Sequence, residues 1–170
     1  MSRHCALIAL LCAMLVPGGA SAAERVAVFD FELIDTSLDG EMLGANAAEQ
    51  ARLAGMAPRL RAWFGKEGRF EVADMGSVVA EAKASNLQAC GGCVAKLAHR
   101  VGATLAITGT VQKVSNLILN VNLYLTDVDS KKAIAAMSTD IRSNSDESWH
   151  RGLDWLIAHR LPAALAKAAP

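Results

Sequence analysis

Three consecutive strand-like segments near the carboxyl end constrain the fold of this chain more than any other feature. They read "ATLAITGTVQKV", "LILNVNLYLTDV" and "KAIAAMSTDIR", at residues 103–114, 117–128 and 132–142. Apolar and polar residues alternate along the middle one, which is typical of a strand with one covered face. Ser115-Asn116 and Asp129-Ser130 leave room only for short turns. The pattern therefore predicts an antiparallel three-stranded meander.

The residues before the meander alternate between strand and helix patterns. "RVAVFDFEL" at 25–33 predicts a strand covered on both faces, and "GRFEVAD" at 68–74 predicts a short second strand. Between them, "IDTSLDG" is expected to be a loop. From about Ala45, apolar residues recur at helical spacing, and Pro58 should kink or restart that helix.

Three further helices complete the predicted element order. Asp74 is a plausible cap for the short helix "MGSVVAEAKAS", and the CGGC segment starts another helix that Gly102 ends. Ser145 or Asp146 can cap the last helix, "ESWHRGLDWLIAHRL". The whole pattern predicts an α/β fold. It is a single layered domain with a mixed sheet, parallel early and an antiparallel meander late, packed by helices.

The amino terminus resembles a cleavable secretory signal. Arg3 and His4 precede the apolar run "CALIALLCAMLV", and small residues then lead to a cut after Ala22. We therefore expect residues 1–22 to be a signal peptide and residues 23–170 to form one periplasmic domain without a stable membrane span. Loss of Arg3 would leave 16 basic against 17 acidic residues, so nucleic acid is not an expected partner. Nothing in the sequence points to a particular oligomeric state.

The sequence resembles an uncharacterised exported bacterial family, the domain of unknown function 2380/3280. The segments "VAVFDFELIDTSLDGE", "CGGC", "VQKVSNLILNVN" and "DIRSNSDESW" carry the resemblance. More widely, the chain looks like the small α/β domains of curli-secretion and penicillin-binding-protein-activator lipoproteins and the TolB amino-terminal domain. The family resemblance implies a periplasmic accessory role, linked to quinoprotein alcohol dehydrogenase systems, and it implies no catalytic residues.

Cys90 and Cys93 would be the only cysteines left after removal of the signal peptide. In an oxidising compartment, such a pair is expected to form a disulfide. The interpretation we favour is a short structural bridge. A redox dithiol is the alternative, because a helix amino terminus would lower the pKa of the Cys90 thiol. A metal site would need two further ligands, and His99 falls on another side of the helix.

The middle strand of the meander carries a polar face that is a candidate partner-binding surface. Asn116, Asn120, Asn122 and Tyr124 share that face with Ile118, and Thr108, Thr110 and Gln112 extend it on the preceding strand. Asn is depleted in strands, so its repetition suggests recognition of a partner strand, a glycan or a small polar ligand. A solvated outer face is the simpler interpretation.

The last helix offers two further candidates. Asp146, His150 and Asp154 recur every four residues and could hold a metal, although capping and ion pairing explain such a string more simply. Trp155 lies off the apolar stripe of this helix. It is either covered by another segment, which we expect, or is an anchor for a partner.

These features favour an exported, non-enzymatic accessory or binding protein without a cofactor. Its expected partner is an envelope or periplasmic protein bound through the Asn/Thr face and the last helix, and the family resemblance implies a quinoprotein dehydrogenase system. The alternatives are a periplasmic thiol–disulfide protein using Cys90 and Cys93, and a metal-binding protein using the last helix. No GxSxG, HExxH or phosphate-binding glycine motif points to an enzyme.

Overall fold

A mixed six-stranded sheet forms the centre of the protein in the computed structural model, which describes residues 24–168. The strands are β1 (Glu24–Val28), β2 (Glu32–Asp35), β3 (Phe70–Val72), β4 (Leu105–Ser115), β5 (Ile118–Asp127) and β6 (Ala133–Ile141). Their order is β3-β1-β4-β5-β6, and β2 also pairs with β4. Pairs among β1 to β4 are parallel, whereas β4, β5 and β6 are antiparallel. The predicted α/β class and the meander are therefore confirmed, and the predicted signal peptide lies outside the described residues.

Residues 24–168 also form six helices. They are α1 (Leu38–Leu43), α2 (Ala47–Glu67), α3 (Val79–Ala84), α4 (Cys93–Arg100), α5 (Asp146–His159) and α6 (Leu161–Ala168). Within the described part of the chain, no helix is both long and apolar enough to cross a membrane.

The two faces of the sheet are covered to different extents. On the inner face, α2, α5 and α6 bury the alternating apolar residues of β1, β4 and β5, with Trp149 fully enclosed. On the outer face, α3 and α4 form a smaller cluster around Phe29 and Leu97 over the parallel end of the sheet. The outer face of β5 and β6 stays largely uncovered, as half-buried or exposed residues there show.

The predicted first strand is divided by a β-bulge. Val28 pairs with Ile107 and Glu32 pairs with Thr110, so four steps along β1–β2 match three steps along β4. The one extra residue makes β1 and β2 separate strands beside the same partner. Gly109 accommodates the bulge, because a Cβ at that position would lie 2.3 Å from the ring of Phe31.

Three other sequence-based expectations differ from the structure. The "IDTSLDG" loop contains the start of α1, whose amino end is capped by the Ser37 hydroxyl. Helix α2 runs through Pro58 without restarting, because its buried face, including Met56 and Leu60, packs on the sheet on both sides of the proline. Asp74 does not cap α3 but accepts a hydrogen bond from the Gly76 amide in a turn before it.

Candidate functional site

Strand β6 forms one end of the sheet and pairs only with β5 among the described residues. It is nine residues long, contains no proline and carries one charged side chain, Asp140. In an edge strand, alternate residues direct their backbone N–H and C=O groups away from the sheet. Folded proteins usually protect such an edge with proline, lysine or a covering segment, and β6 has little of this protection.

A groove runs between the end of β6 and helix α5. Its volume is about 440 Å³. Helix α5 approaches the sheet closely because Gly152 faces it, and a Cβ there would lie 2.6 Å from Cγ2 of Ile141. The lining is mixed, with hydroxyl groups, two arginines, two acids and one large aromatic side chain, contributed by Thr139, Asp140, Ile141, Arg142, Ser143, Ser145, Glu147, Ser148, Arg151, Gly152 and Trp155.

Trp155 stands at this groove and is 42% exposed. The expectation that another segment covers it is therefore wrong. The buried stripe of α5 is formed by Trp149, Leu153 and Leu156, and Trp155 projects from a neighbouring position. Its ring lies 5.2 Å from the ring of His159. Such a side chain presents a large apolar surface to solvent beside an open strand edge.

The polar residues of β5 form a hydrogen-bonded ladder on the outer face. Asn122 donates to the Thr110 hydroxyl (3.1 Å), and Asn120 donates to Asp140 (2.7 Å) and accepts from the Ser138 hydroxyl (2.9 Å). Thr110 is buried, whereas the two asparagines are half-buried, as is Tyr124. The ladder thus reaches β6 and places Asp140 and Ser138 beside the strand edge.

Asn116 does not lie on this polar face. It occupies the turn between β4 and β5, where its amide donates to Asp39 (3.0 Å) and its carbonyl accepts from Asn144 (2.9 Å). The prediction extended the alternation of β5 into the turn, where alternate residues no longer share a face. Asn116 thereby joins the turn to α1 and to the segment before α5.

The sequence pattern did not predict a buried ionic cluster that lies next to Asn116. The Lys113 ammonium lies 2.8 Å from Glu49 and 3.1 Å from Asp35, and the Asn144 amide donates to Glu49 at 2.5 Å. We call Asp35, Glu49, Lys113, Asn116 and Asn144 the Lys113 network. Two charges at inward-facing positions, one on β4 and one on α2, were a signal that could have predicted it.

The electrostatics of this network favour its charged form. Burial acts to lower the pKa of Lys113, but hydrogen bonds from its ammonium to Glu49 and Asp35 outweigh burial and raise it. Burial likewise acts to raise the pKa of Asp35, yet hydrogen bonds from Ser37 and Lys113 bring it below its ordinary value. The network is therefore held together by mutually compensated charges.

The three side chains of α5 that were candidate metal ligands do not converge on one point, and its two carboxylates bind different arginines of α2. Asp146 binds Arg52 of α2 at 2.6 Å, a hydrogen bond that lowers the pKa of Asp146, and Asp154 forms a bidentate pair with Arg59 at 2.5 Å. His150 lies between them. Residues 24–168 contain no group of three or more His, Cys, Asp or Glu side chains that could hold a metal ion. The carboxylates instead join α5 to α2.

Cys90 and Cys93 form a disulfide immediately before and at the start of α4. Gly91 and Gly92 both have positive φ, 66° and 105°, which non-glycine residues rarely adopt. The Cys90 sulfur lies 3.7 Å from the carbonyl of Leu87, so the bridge holds the turn that leads into the helix.

The fold defines a mixed α/β domain with a groove between β6 and α5. The sequence matches the family described as "Protein of unknown function (DUF2380)", DUF3280, over residues 24–161, and the chain belongs to this family. The family predicted from the sequence is thus confirmed. No curated protein matches the sequence.

Several solved structures resemble the chain at low sequence identity. The hypothetical protein CT253 from Chlamydia trachomatis is 13% identical, with 85% of this chain and 99% of that one covered and a TM-score of 0.50. The LpoB C-terminal domain from Salmonella enterica is 15% identical over 74% and 87%, with a TM-score of 0.49. TolB from Acinetobacter baumannii is 13% identical over 85% and 28%, also at 0.49. The likeness to CT253 supports a shared fold.

Proposed function

We propose that this protein is an exported, non-enzymatic binding module of the periplasm that captures an extended segment of an envelope protein. The observation that carries the proposal is the outer edge of β6, which pairs with no strand in residues 24–168, beside a groove that the exposed Trp155 lines. An extended polypeptide supplies main-chain groups that match those of a strand edge, and it adds to the sheet as a further strand.

The strand edge would provide most of the hydrogen bonding. Half of the nine β6 residues direct backbone groups outward, so an added strand gains about four pairs of main-chain contacts. Each hydrogen bond contributes about 1 kcal/mol net. Because these contacts involve only the main chain, they give affinity with little sequence specificity.

Side chains around the edge would select the partner. Trp155 is positioned to receive an apolar side chain, and an exposed tryptophan of this kind is a frequent binding hot spot worth about 2 kcal/mol or more. Arg142 favours an acidic residue nearby, whereas Arg151 is paired with Glu147. Ser138 and Asp140, which the ladder joins to Asn120 of β5, form a polar flank beside the added strand.

The periplasmic setting rests on the signal-like amino terminus and on the Cys90–Cys93 disulfide, which suits an oxidising compartment. The family resemblance makes a quinoprotein dehydrogenase system the first partner to test.

Site-specific photo-crosslinking in the periplasm tests the proposal. A photoreactive residue replaces Ser138 on β6 or Trp155 on α5, and a control replaces Lys96 on the distant helix α4. We expect positions 138 and 155 to crosslink to the same protein and position 96 not to do so. Any quinoprotein dehydrogenase among the products identifies that partner directly.

A second measurement tests the binding mode. Amide hydrogen exchange of alternate β6 residues should slow when the purified partner segment binds, and Trp155→Ala should weaken binding at least tenfold. Unchanged β6 exchange together with wild-type affinity of the Trp155 variant would refute strand addition. A Cys90→Ser/Cys93→Ser variant should still bind, whereas a thiol–disulfide protein would lose its function with that change.

A further inference from the structure

Exposed apolar side chains are concentrated where α1 meets the turn between β4 and β5. The Thr36 amide, just before α1, donates to the Lys113 carbonyl at 2.9 Å, and Asn116 in the turn donates to Asp39 of α1 at 3.0 Å. These elements and the strand ends beside them carry seven of the eight large apolar side chains that residues 24–168 expose. They are Ile34, Leu38, Met42, Leu43, Val114, Leu117 and Ile118, which we call the apolar tip. Clustered exposure of this kind marks an interaction site.

Helix α1 is held in place by polar contacts and buries none of its own side chains. The Ser37 hydroxyl accepts from the Gly40 amide (3.1 Å) and donates to the Asp35 carboxylate (2.6 Å). Helices in proteins usually depend on an apolar face that packs against the rest of the fold. Here Leu38 and Met42, one turn apart, are 68% and 74% exposed. The helix therefore presents its apolar side chains to solvent from a fixed position, which limits the entropy lost when a partner binds.

The charges around the apolar tip are predominantly negative. Asp39 and Glu41 are exposed on α1, and neither forms an ion pair within the described residues. Lys113 is buried and already paired with two acids, and Arg52 is paired with Asp146. Apart from that last pair, five acids stand against two cations on these elements, Asp35, Asp39, Glu41, Glu49 and Asp140 against Lys113 and Arg142. The exposed carboxylates of α1 are therefore not compensated from within the chain described.

This excess of negative charge selects the occupant of the apolar tip. A membrane surface with anionic head groups, or a second copy placed tip to tip, would bring like charges together. A different patch of a second copy is a poor counterpart, because outside the tip residues 24–168 expose one large apolar side chain, Trp155. Apolar side chains next to basic ones complement both the exposed apolar surface and the unpaired carboxylates.

We propose that the apolar tip docks a cationic amphipathic segment of a partner protein. The apolar side chains of that segment lie on Leu38, Met42 and Leu117, and its basic side chains lie beside Asp39 and Glu41. The contact uses neither Trp155 nor the outer edge of β6, so it stands or falls independently of the proposed strand addition.

Titration of a fluorescent Leu/Lys peptide, with its leucines at helical spacing, into the purified protein tests the proposal by fluorescence anisotropy. We expect saturable binding of this peptide and no binding of a Leu/Glu peptide of the same design. Leu38→Ser/Met42→Ser should weaken binding at least about tenfold, because it removes two exposed apolar contacts. Neither side chain is buried, so this variant should fold as the wild type does. Trp155→Ala, which removes the exposed apolar side chain outside the tip, should bind with wild-type affinity.

Charge variants test the choice of a cationic occupant. Asp39→Asn/Glu41→Gln should weaken binding of the Leu/Lys peptide about threefold and reduce its salt dependence, as expected for exposed ion pairs. Asp129→Asn, at an exposed position in the turn between β5 and β6, should have no effect. Absence of saturable binding, or wild-type affinity of Leu38→Ser/Met42→Ser, overturns the docking surface. Equal binding of the Leu/Lys and Leu/Glu peptides overturns the charge assignment.

Two further measurements test the other occupants. The oligomeric state in sedimentation velocity should be the same for the wild type and Leu38→Ser/Met42→Ser, and phosphatidylglycerol vesicles should bind neither protein. A dimer that this double variant dissociates would overturn the proposal in favour of a second copy. Vesicle binding that the double variant loses would overturn it in favour of a membrane surface.

Discussion

Removal of the Lys113 ammonium should destabilise the protein by about 3–5 kcal/mol, the cost of breaking a buried ion pair by deleting one partner. The side chain of Lys113 is 3% exposed and that of Glu49 is 1% exposed. In the Lys113→Met variant, the Glu49 carboxylate would stay buried with the Asn144 amide as its remaining side-chain donor. The carboxylate would lose the ion pair that offsets most of its desolvation cost, and the desolvation cost itself would remain.

The double variant Lys113→Met/Glu49→Leu should be more stable than Lys113→Met alone. It removes both buried charges, and Asp35, whose side chain is 17% exposed, keeps its hydrogen bonds from Ser37. Replacement of a buried pair by apolar residues of similar volume is often close to neutral.

Urea unfolding at pH 7, followed by tryptophan fluorescence, measures these differences. Lys96→Met, at an exposed position on α4, is the control and should change stability by less than about 0.5 kcal/mol. The reasoning fails if Lys113→Met costs less than about 1 kcal/mol, or if the double variant is less stable than Lys113→Met.

Three further predictions concern backbone fit, the disulfide and pH. Gly152→Ala should destabilise the protein by about 1 kcal/mol in urea unfolding, because the new methyl group overlaps Ile141 and this outweighs the better helix propensity of alanine. Gly65→Ala, which has open space around it, should stabilise the protein by about 0.5–1 kcal/mol, and a change of the same sign in both variants would contradict this reasoning. Loss of the disulfide in Cys90→Ser/Cys93→Ser should lower the free energy of unfolding by on the order of 2 kcal/mol, measured by thermal unfolding. In the wild type, a reduction potential below about −300 mV is expected for a structural bridge, and a value near −200 mV would favour a redox role. The pKa of Asp35 is lowered from 3.8, so the ionised carboxylate contributes to the free energy of unfolding above that pH, and this contribution is lost as the pH falls through the folded-state pKa. The wild type should therefore lose more stability below about pH 4 than Asp35→Asn does, and parallel acid unfolding curves for the two proteins would argue against this contribution.

The sequence correctly predicted the elements in which one covered face sets the spacing of the apolar residues. The alternation of Leu119, Val121 and Leu123 with polar neighbours predicts both the existence of β5 and the face that it buries. Such a pattern is local, so no knowledge of the rest of the fold is required. The family was also identified from local segments.

The features that were missed depend on contacts between distant parts of the chain. The bulge between β1 and β2 follows from the fit of Phe31 over Gly109, which are 78 positions apart, and no local pattern records it. The exposure of Trp155 depends on which segments reach α5, because a helical stripe predicts only which residues face the sheet.

The glycines of the CGGC segment are explained by backbone geometry. A loop that closes on a helix amino terminus within four residues turns sharply, and Gly91 and Gly92 both adopt the left-handed region to do so. The turn that precedes the bridge carries Leu87, whose amide donates a hydrogen bond to Glu32. If the pair served thiol exchange, small residues would be needed for access of a partner, and their dihedral angles would be incidental. The structural interpretation instead requires glycine at both positions and links the bridge to the turn at Leu87. Reduction of the bridge should therefore speed amide hydrogen exchange at Leu87 while it leaves the β6 edge, on the other side of β4, unchanged.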